Sequence, residues 1–219
     1  VSGTGKEAIE ELQEQSAALL RGGYVAIKVY PHQIAFNILP QIGSLADTGY
    51  SSEEIKMLYE TRKILHDDGI KVSATTVRVP AFRAHAEDIH IETKKEIAPE
   101  EARELLANFP GITVIDNPFE GKYPLSLEAE GKDEVFVGRV RKDLAFEPGL
   151  AMWVVSDNLR KGAALNTIQI AEEAVEMALS NLWEEIRTMQ FFVAGNVLVD
   201  APFYRGRLTW LTGFVSSYM

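Results

Sequence analysis

Residues 77–92 read V-R-V-P-A-F-R-A-H-A-E-D-I-H-I-E, and no other stretch constrains the chain so tightly. Apolar and polar residues alternate with β-branched enrichment, which predicts strand from about Lys71 to Glu92, interrupted or edged at Pro80 because proline cannot donate to a ladder. Arg78 and His85 stand seven apart, an odd separation that puts them on opposite faces of a regular strand. Both can serve one cleft only if the chain is re-aimed near Pro80. A guanidinium grips a carboxylate bidentately and an imidazole moves a proton near neutral pH, so the pair suits holding a small acid and doing acyl chemistry on it. Taken alone, Arg78 reads rather as a surface arginine paired with an acid such as Glu87, and His85 as a structural histidine.

The elements around this stretch alternate between helix and strand. Residues 6–21 predict a helix with Ile9, Leu12, Leu19 and Leu20 on one side and Gly22-Gly23 as its stop. Tyr24 to Tyr30 predicts a strand ended by Pro31. A second helix runs from Ser52 to about His66, capped by Ser51 or Ser52, with Ile55, Leu58, Tyr59, Leu65 and the Arg62 stem as its stripe. Pro99 to Ala107 is a short helix with proline at its start. Ile112–Asp116, Val135–Phe146 and Leu150–Ser156 predict strands, and Ala163 to about Arg187 a long helix. Asn117 to Asp133, with two prolines and two glycines, reads as an excursion from the sheet. The sum is one α+β domain over residues 1–187, a sheet with helices packed on one face. Residues 188–219 read as an unmatched hydrophobic tail (extension, fusion or frame error), its apolar runs Phe191–Val199 and Leu208–Val215 expected as strands around a Pro202–Gly206 turn.

Composition removes several classes of function. A net charge of −10 argues against nucleic acid as partner, because phosphate-backbone affinity rests on Lys and Arg. The short basic runs Lys94-Lys95 and Arg139–Lys142 are flanked by acids and read as solvated faces. No apolar run approaches the roughly 18 residues of a membrane span. There is no cysteine, which removes disulfides, thiolate metal sites and any thiol nucleophile. His85 and His90 lie five apart on a strand, hence on opposite faces, so no metal pair is expected. The start, Val-Ser-Gly-Thr-Gly, lacks an initiator Met and a signal-peptide pattern, and is expected to continue a longer chain.

The 77–92 stretch resembles the substrate strand of aspartate-β-semialdehyde dehydrogenases, which read close to V-R-[VI]-P-V-x-x-x-H-[SA]-E. Further blocks match that family in its order over about residues 1–173. They are Pro31–Asn37, Glu60–Leu65, Arg139–Asp143 and Asp157–Asn166 (D-N-L-R-K-G-A-A-L-N). The matched part is the carboxyl-terminal, catalytic and dimerisation domain. It implies a mixed, mainly antiparallel sheet similar to the carboxyl-terminal domain of glyceraldehyde-3-phosphate dehydrogenase-like enzymes, a homodimer, and a cytoplasmic setting.

The resemblance also implies roles. Arg78 would clamp the α-carboxylate of the substrate. His85 would be the acid–base that activates a cysteine thiol and shuttles the proton at the thioester step. Glu53 would hold the substrate amino group and Lys56 the phosphate; by spacing alone, three apart on a helix, they form an ordinary surface pair. Glu54 is the alternative carboxylate. Ser2 and Gly3 match the family's Q-[AT]-x-S-G-[AT]-G segment and would touch NADP, and Asn166 would bond the nicotinamide amide. Without the family, Ser2-Gly3 reads as the start of a helix and Asn166 as a first-turn polar residue. The implied activity is NADPH-dependent reductive dephosphorylation of aspartyl-4-phosphate to the semialdehyde, in lysine, threonine and methionine synthesis. Lacking the thiol, the isolated chain is expected not to turn over. The rival expectation is a non-catalytic dimerisation or scaffold module.

Overall fold

A computed structural model describes residues 1–193 of the chain. In chain order the elements are α1 (Lys6–Leu20), α2 (Ser52–Leu65), β1 (His85–Glu92), α3 (Pro99–Ala107), β2 (Ile112–Val114), α4 (Ser126–Ala129), β3 (Val135–Lys142), β4 (Gly149–Ser156) and α5 (Leu165–Val193). The four strands form one sheet ordered β1-β4-β3-β2, with β1/β4 and β3/β4 antiparallel and β2/β3 parallel. This is the expected α+β class with a mixed, mainly antiparallel sheet.

The apolar residues on both faces of β4 are divided between two small cores. Leu150, Met152 and Val154 join Val135, Val137 and Val140 under Ala102 and Leu106 of α3. Val155 and Trp153 join Phe136, Ala84, Ile115 and Ala129 on the opposite face. Helical cover therefore lies on one face, apart from the single turn α4. The rest of the second face is lined by the 117–131 excursion, where the Trp153 indole donates to the Pro124 carbonyl at 3.2 Å. Beside it remains an open cavity of about 530 Å³ between Asp88, Tyr123, Leu125, Arg139, Arg141 and Trp153.

A β-bulge keeps β3 in this arrangement. Between Gly138 and Arg141 the strand holds one more residue than β4 opposite it, and Arg139 takes a φ of 55°. An extra residue restores the inward phase, so Val137 and Val140 both reach the α3 core while Arg139 and Arg141 turn to the open face. The bulge is bound by Asp116, whose carboxylate accepts from the Arg139 N–H at 2.6 Å and the Val140 N–H at 3.0 Å. Arg103 of α3 closes the motif, donating to Asp116 and to the Val140 carbonyl, each at 2.6 Å.

Three expectations need correction. Tyr24–Tyr30 is not a strand, because α1 takes its hydrogen bonds. The buried Glu11 accepts from the N–H groups of Lys28 and Val29, and the buried Gln15 donates to the Ala26 carbonyl at 2.9 Å while accepting from Ile34 and Ala35 just beyond the segment. The long strand from Lys71 shrinks to His85–Glu92. The Thr76 N–H goes to Glu54, and Arg78 forms only an isolated two-way bridge with Leu39. Ala84 then breaks the line with a φ of 69°. The last helix runs through Val193, after a π turn over Arg160–Ala164, so the first residues of the expected strand Phe191–Val199 are helical. The rest of that strand, the Pro202–Gly206 turn and Leu208–Val215 lie outside the described residues.

Candidate active site

The site forms where three segments meet the end of β4. The first is the turn at Ser2–Thr4, the second the 30–40 loop, the third the stretch from Arg78 to His85. Arg78 lies over the Tyr30 ring, 5.5 Å from its centroid, and the Tyr30 hydroxyl donates to Thr4. Stacking on an aromatic face holds a guanidinium's plane while leaving its N–H edge free for a carboxylate. Among the described residues no ion pair joins Arg78 to Glu87. Glu87 instead has its pKa raised by burial.

His85 opens β1. Partial burial lowers its pKa first, the positive charges of the amino terminus and Arg78 lower it further, and Glu53 opposes them. Arg78 and Glu53 thus each lie within electrostatic reach of His85, although seven residues separate Arg78 from it along the sequence. Between them Ala84 takes a left-handed conformation, at a φ of 69°. His90 falls on the other face of β1, between Asp88 and Asp143.

Glu53 and Lys56 pair at 3.4 Å on the exposed first turn of α2. Their neighbour Glu54 is occupied otherwise. It completes a capping box with Ser51 and accepts from the Thr76 N–H at 2.8 Å, which ties α2 to the Arg78 segment and lowers the Glu54 pKa. Of the two candidate glutamates, only Glu53 has its carboxylate free of backbone donors.

At the amino-terminal turn, the Ser2 N–H donates to the Phe82 carbonyl at 3.0 Å, and the Ser2 hydroxyl to Asn158 Oδ1 at 3.1 Å. A Cβ on Gly3 would come within 3.9 Å of Arg78 Nη1 and 4.0 Å of Asn158 Nδ2, so the bare Gly3 backbone faces a guanidinium and a carboxamide. Asn166 is the second residue of α5, partly buried, and the carboxamide set against the Ser2–Gly3 turn belongs to Asn158. Asn158 and Tyr30 are the contributors that single-residue reasoning passed over. The Asp157–Asn166 block carried the signal for the first, while nothing local marks Tyr30.

Fold and site together define an α+β domain in which an arginine and a helix-borne glutamate lie within electrostatic range of a histidine at the start of a strand. Residues 1–161 match the family described as semialdehyde dehydrogenase, dimerisation domain, and the chain belongs to that family. It is 59% identical over 180 residues to the aspartate-semialdehyde dehydrogenase of Aquifex aeolicus, covering 82% of this chain and 53% of the relative. With the Legionella pneumophila enzyme of the same name it shares 53% over 173 residues, 78% of this chain and 50% of the relative. Among solved structures, aspartate semialdehyde dehydrogenase II of Vibrio cholerae superposes with a TM-score of 0.77 at 46% identity, over 80% of this chain and 52% of that one. The chain thus spans about half the length of the relatives it matches.

Proposed function

We propose that this chain is the substrate-binding and dimerisation half of an NADP-dependent aspartate-semialdehyde dehydrogenase, interconverting aspartyl-4-phosphate and the semialdehyde in lysine, threonine and methionine biosynthesis. The observation that carries the reading is that the charges of Arg78 and Glu53 both act on His85, in a chain of this family. The V. cholerae relative was also solved complexed with ASA.

In this reading Arg78, braced on Tyr30, takes the α-carboxylate bidentately. Glu53 takes the amino group and Lys56, three residues along the same face, the phosphate. His85 needs to be a neutral base at neutral pH, and its lowered pKa favours that state. The cofactor fits the chain at one end only. Ser2 and Gly3 offer backbone that a ring can approach closely, and Asn158, with Asn166 further along, offers a carboxamide to pair with another carboxamide. Bound there, nicotinamide would supply the hydride carrier. The remaining grip on NADP, and the thiol, belong to a nucleotide-binding half. Self-association would use the open sheet face and the strands from Val135 to Ser156. With no cysteine, the chain alone is a binding and assembly module without turnover.

The test is a chimera with the amino-terminal half of the A. aeolicus relative fused ahead of Val1. It should scatter light as a dimer and reduce NADP with semialdehyde and phosphate, whereas the isolated chain should not. Arg78→Lys should lower its kcat/KM about a hundredfold, the scale of a lost bidentate contact. A folded chimera without turnover, or one indifferent to Arg78→Lys, would overturn the reading.

A further inference from the structure

Ala84 has a Cβ and yet sits in the left-handed region at a φ of 69°, a conformation that persists in non-glycine residues only where the surroundings hold it. The surroundings here come from the last residues of β4 and the two that follow. Ser156 pairs with His85 in the β1/β4 ladder. Asp157, wholly buried, receives Arg83 bidentately, Nη2 at 2.8 Å and Nε at 3.1 Å, together with the N–H groups of Gly131 and Leu159. Asn158, 8% exposed, accepts the Ala84 N–H at 3.0 Å on the same Oδ1 that accepts the Ser2 hydroxyl at 3.1 Å. The residues before, at and after the reversal are thus each fixed by a successive residue from the end of β4.

We propose that Asn158 is a positioning residue that, through one carboxamide oxygen, holds both the Ser2–Gly3 turn and the Ala84 reversal that sets His85 at the head of β1. Ala84 N–H and Ser2 O–H are both neutral donors from segments more than 70 residues away from Asn158 in sequence. The oxygen therefore couples the turn facing the ring-binding side to the strand bearing the imidazole. Leaving a buried N–H without an acceptor is costly, so removing the oxygen releases the reversal and not merely one bond. The catalytic meaning rests on the role proposed for His85, but the coupling does not, and it is read without turnover.

The experiment is NMR on the full, isotope-labelled 219-residue chain, following Ala84 amide exchange and the titration of the His85 ring. Asn158→Ala should speed Ala84 exchange roughly ten- to hundredfold, while amides in the middle of β4 keep their protection. The same variant should move the His85 pKa up toward the ordinary 6.5 as the ring moves away from the amino terminus and Arg78. Asn158→Asp retains an acceptor and should restore the Ala84 protection. A folded Asn158→Ala chain in which both Ala84 exchange and His85 titration are unchanged overturns the proposal. Should Asn158→Ala fail to fold, the other chains decide. An Ala84 amide that exchanges at the unprotected rate in the unaltered chain overturns it, and protection kept in Asn158→Asp supports it. Loss of the proposed reaction in the chimera, with these NMR results intact, would count against the enzyme reading alone.

Discussion

Asp116→Ala should be among the most damaging single changes outside the cleft. The carboxylate side chain is 2% exposed and serves three donors: the N–H groups of Arg139 and Val140 in the bulge, and Arg103 Nε at 2.6 Å. The three losses are unequal. The Val140 N–H is partly buried and would be left without an acceptor. The Arg139 N–H is exposed and can turn to water. Arg103, a third exposed, keeps the Val140 carbonyl and Glu100. Assigning most of the penalty to the Val140 N–H, less to Arg103 and least to Arg139 gives about 3 kcal/mol. At a urea slope of about 2 kcal/mol per molar, the midpoint should fall by about 1.5 M. Urea titration followed by far-ultraviolet circular dichroism measures this. Asp116→Asn, which keeps one acceptor oxygen and places an amide against the other donors, should fall between the two. If Asp116→Ala unfolds at the wild-type midpoint, the carboxylate does not hold the bulge and the account of the β3 register fails.

Two further outcomes follow from the packing and the charges. Gly138→Ala places a Cβ 2.1 Å from the Ile115 carbonyl oxygen and 2.6 Å from Pro124 Cδ, so β3 and the excursion must separate. A loss of about 2–3 kcal/mol in the same titration is expected for such overpacking, and an unchanged midpoint would show that the two segments are not in contact. His90 has its pKa raised above 6.5 by hydrogen bonds first to Asp143 and then to Asp88. The stabilisation this represents is present in full below pH 6.5 and fades as pH rises through the higher folded value. Relative to His90→Gln, the wild-type chain should therefore be favoured below pH 6.5 and lose that advantage as pH rises through the higher folded value. A constant offset between the two proteins across that range would refute the assignment.

What the sequence disclosed depended on whether the deciding partner was near in the chain. α3 runs from Pro99 to Ala107 as expected, because a proline at its first turn and an apolar stripe are local facts. β3 and β4 were legible from apolar, β-branched runs in their own sequence. Tyr24–Tyr30 alternates and is no strand, because Glu11 and Gln15 claim its backbone from 11 to 18 residues away. Lys71–Arg78 failed likewise, drawn off by Glu54 and Leu39. The Arg139 bulge depends on Asp116, two elements back, and no periodicity reports it. In the cleft, the need for a break between Arg78 and His85 could be deduced from their odd spacing. That the break falls at Ala84, under an oxygen of Asn158, could not. Glu53 and Glu54 are alike in residue type; spacing to Lys56 favours Glu53, and the structure adds that the helix start consumes Glu54.

That last distinction bears on how the two glutamates would drift. Glu54 is bonded to the backbone of Ser51 and Thr76, so its loss uncaps α2 and frees the Arg78 segment whatever the protein is selected to do. Glu53 touches only Lys56, on the surface. In a library screened for thermal tolerance alone, position 54 should stay glutamate while position 53 accepts most polar residues. In a library screened for growth dependent on the chimera's turnover, both should stay fixed. Sequencing the survivors of the two screens side by side would thus separate what the helix requires from what the cleft requires, at adjacent residues of identical chemistry.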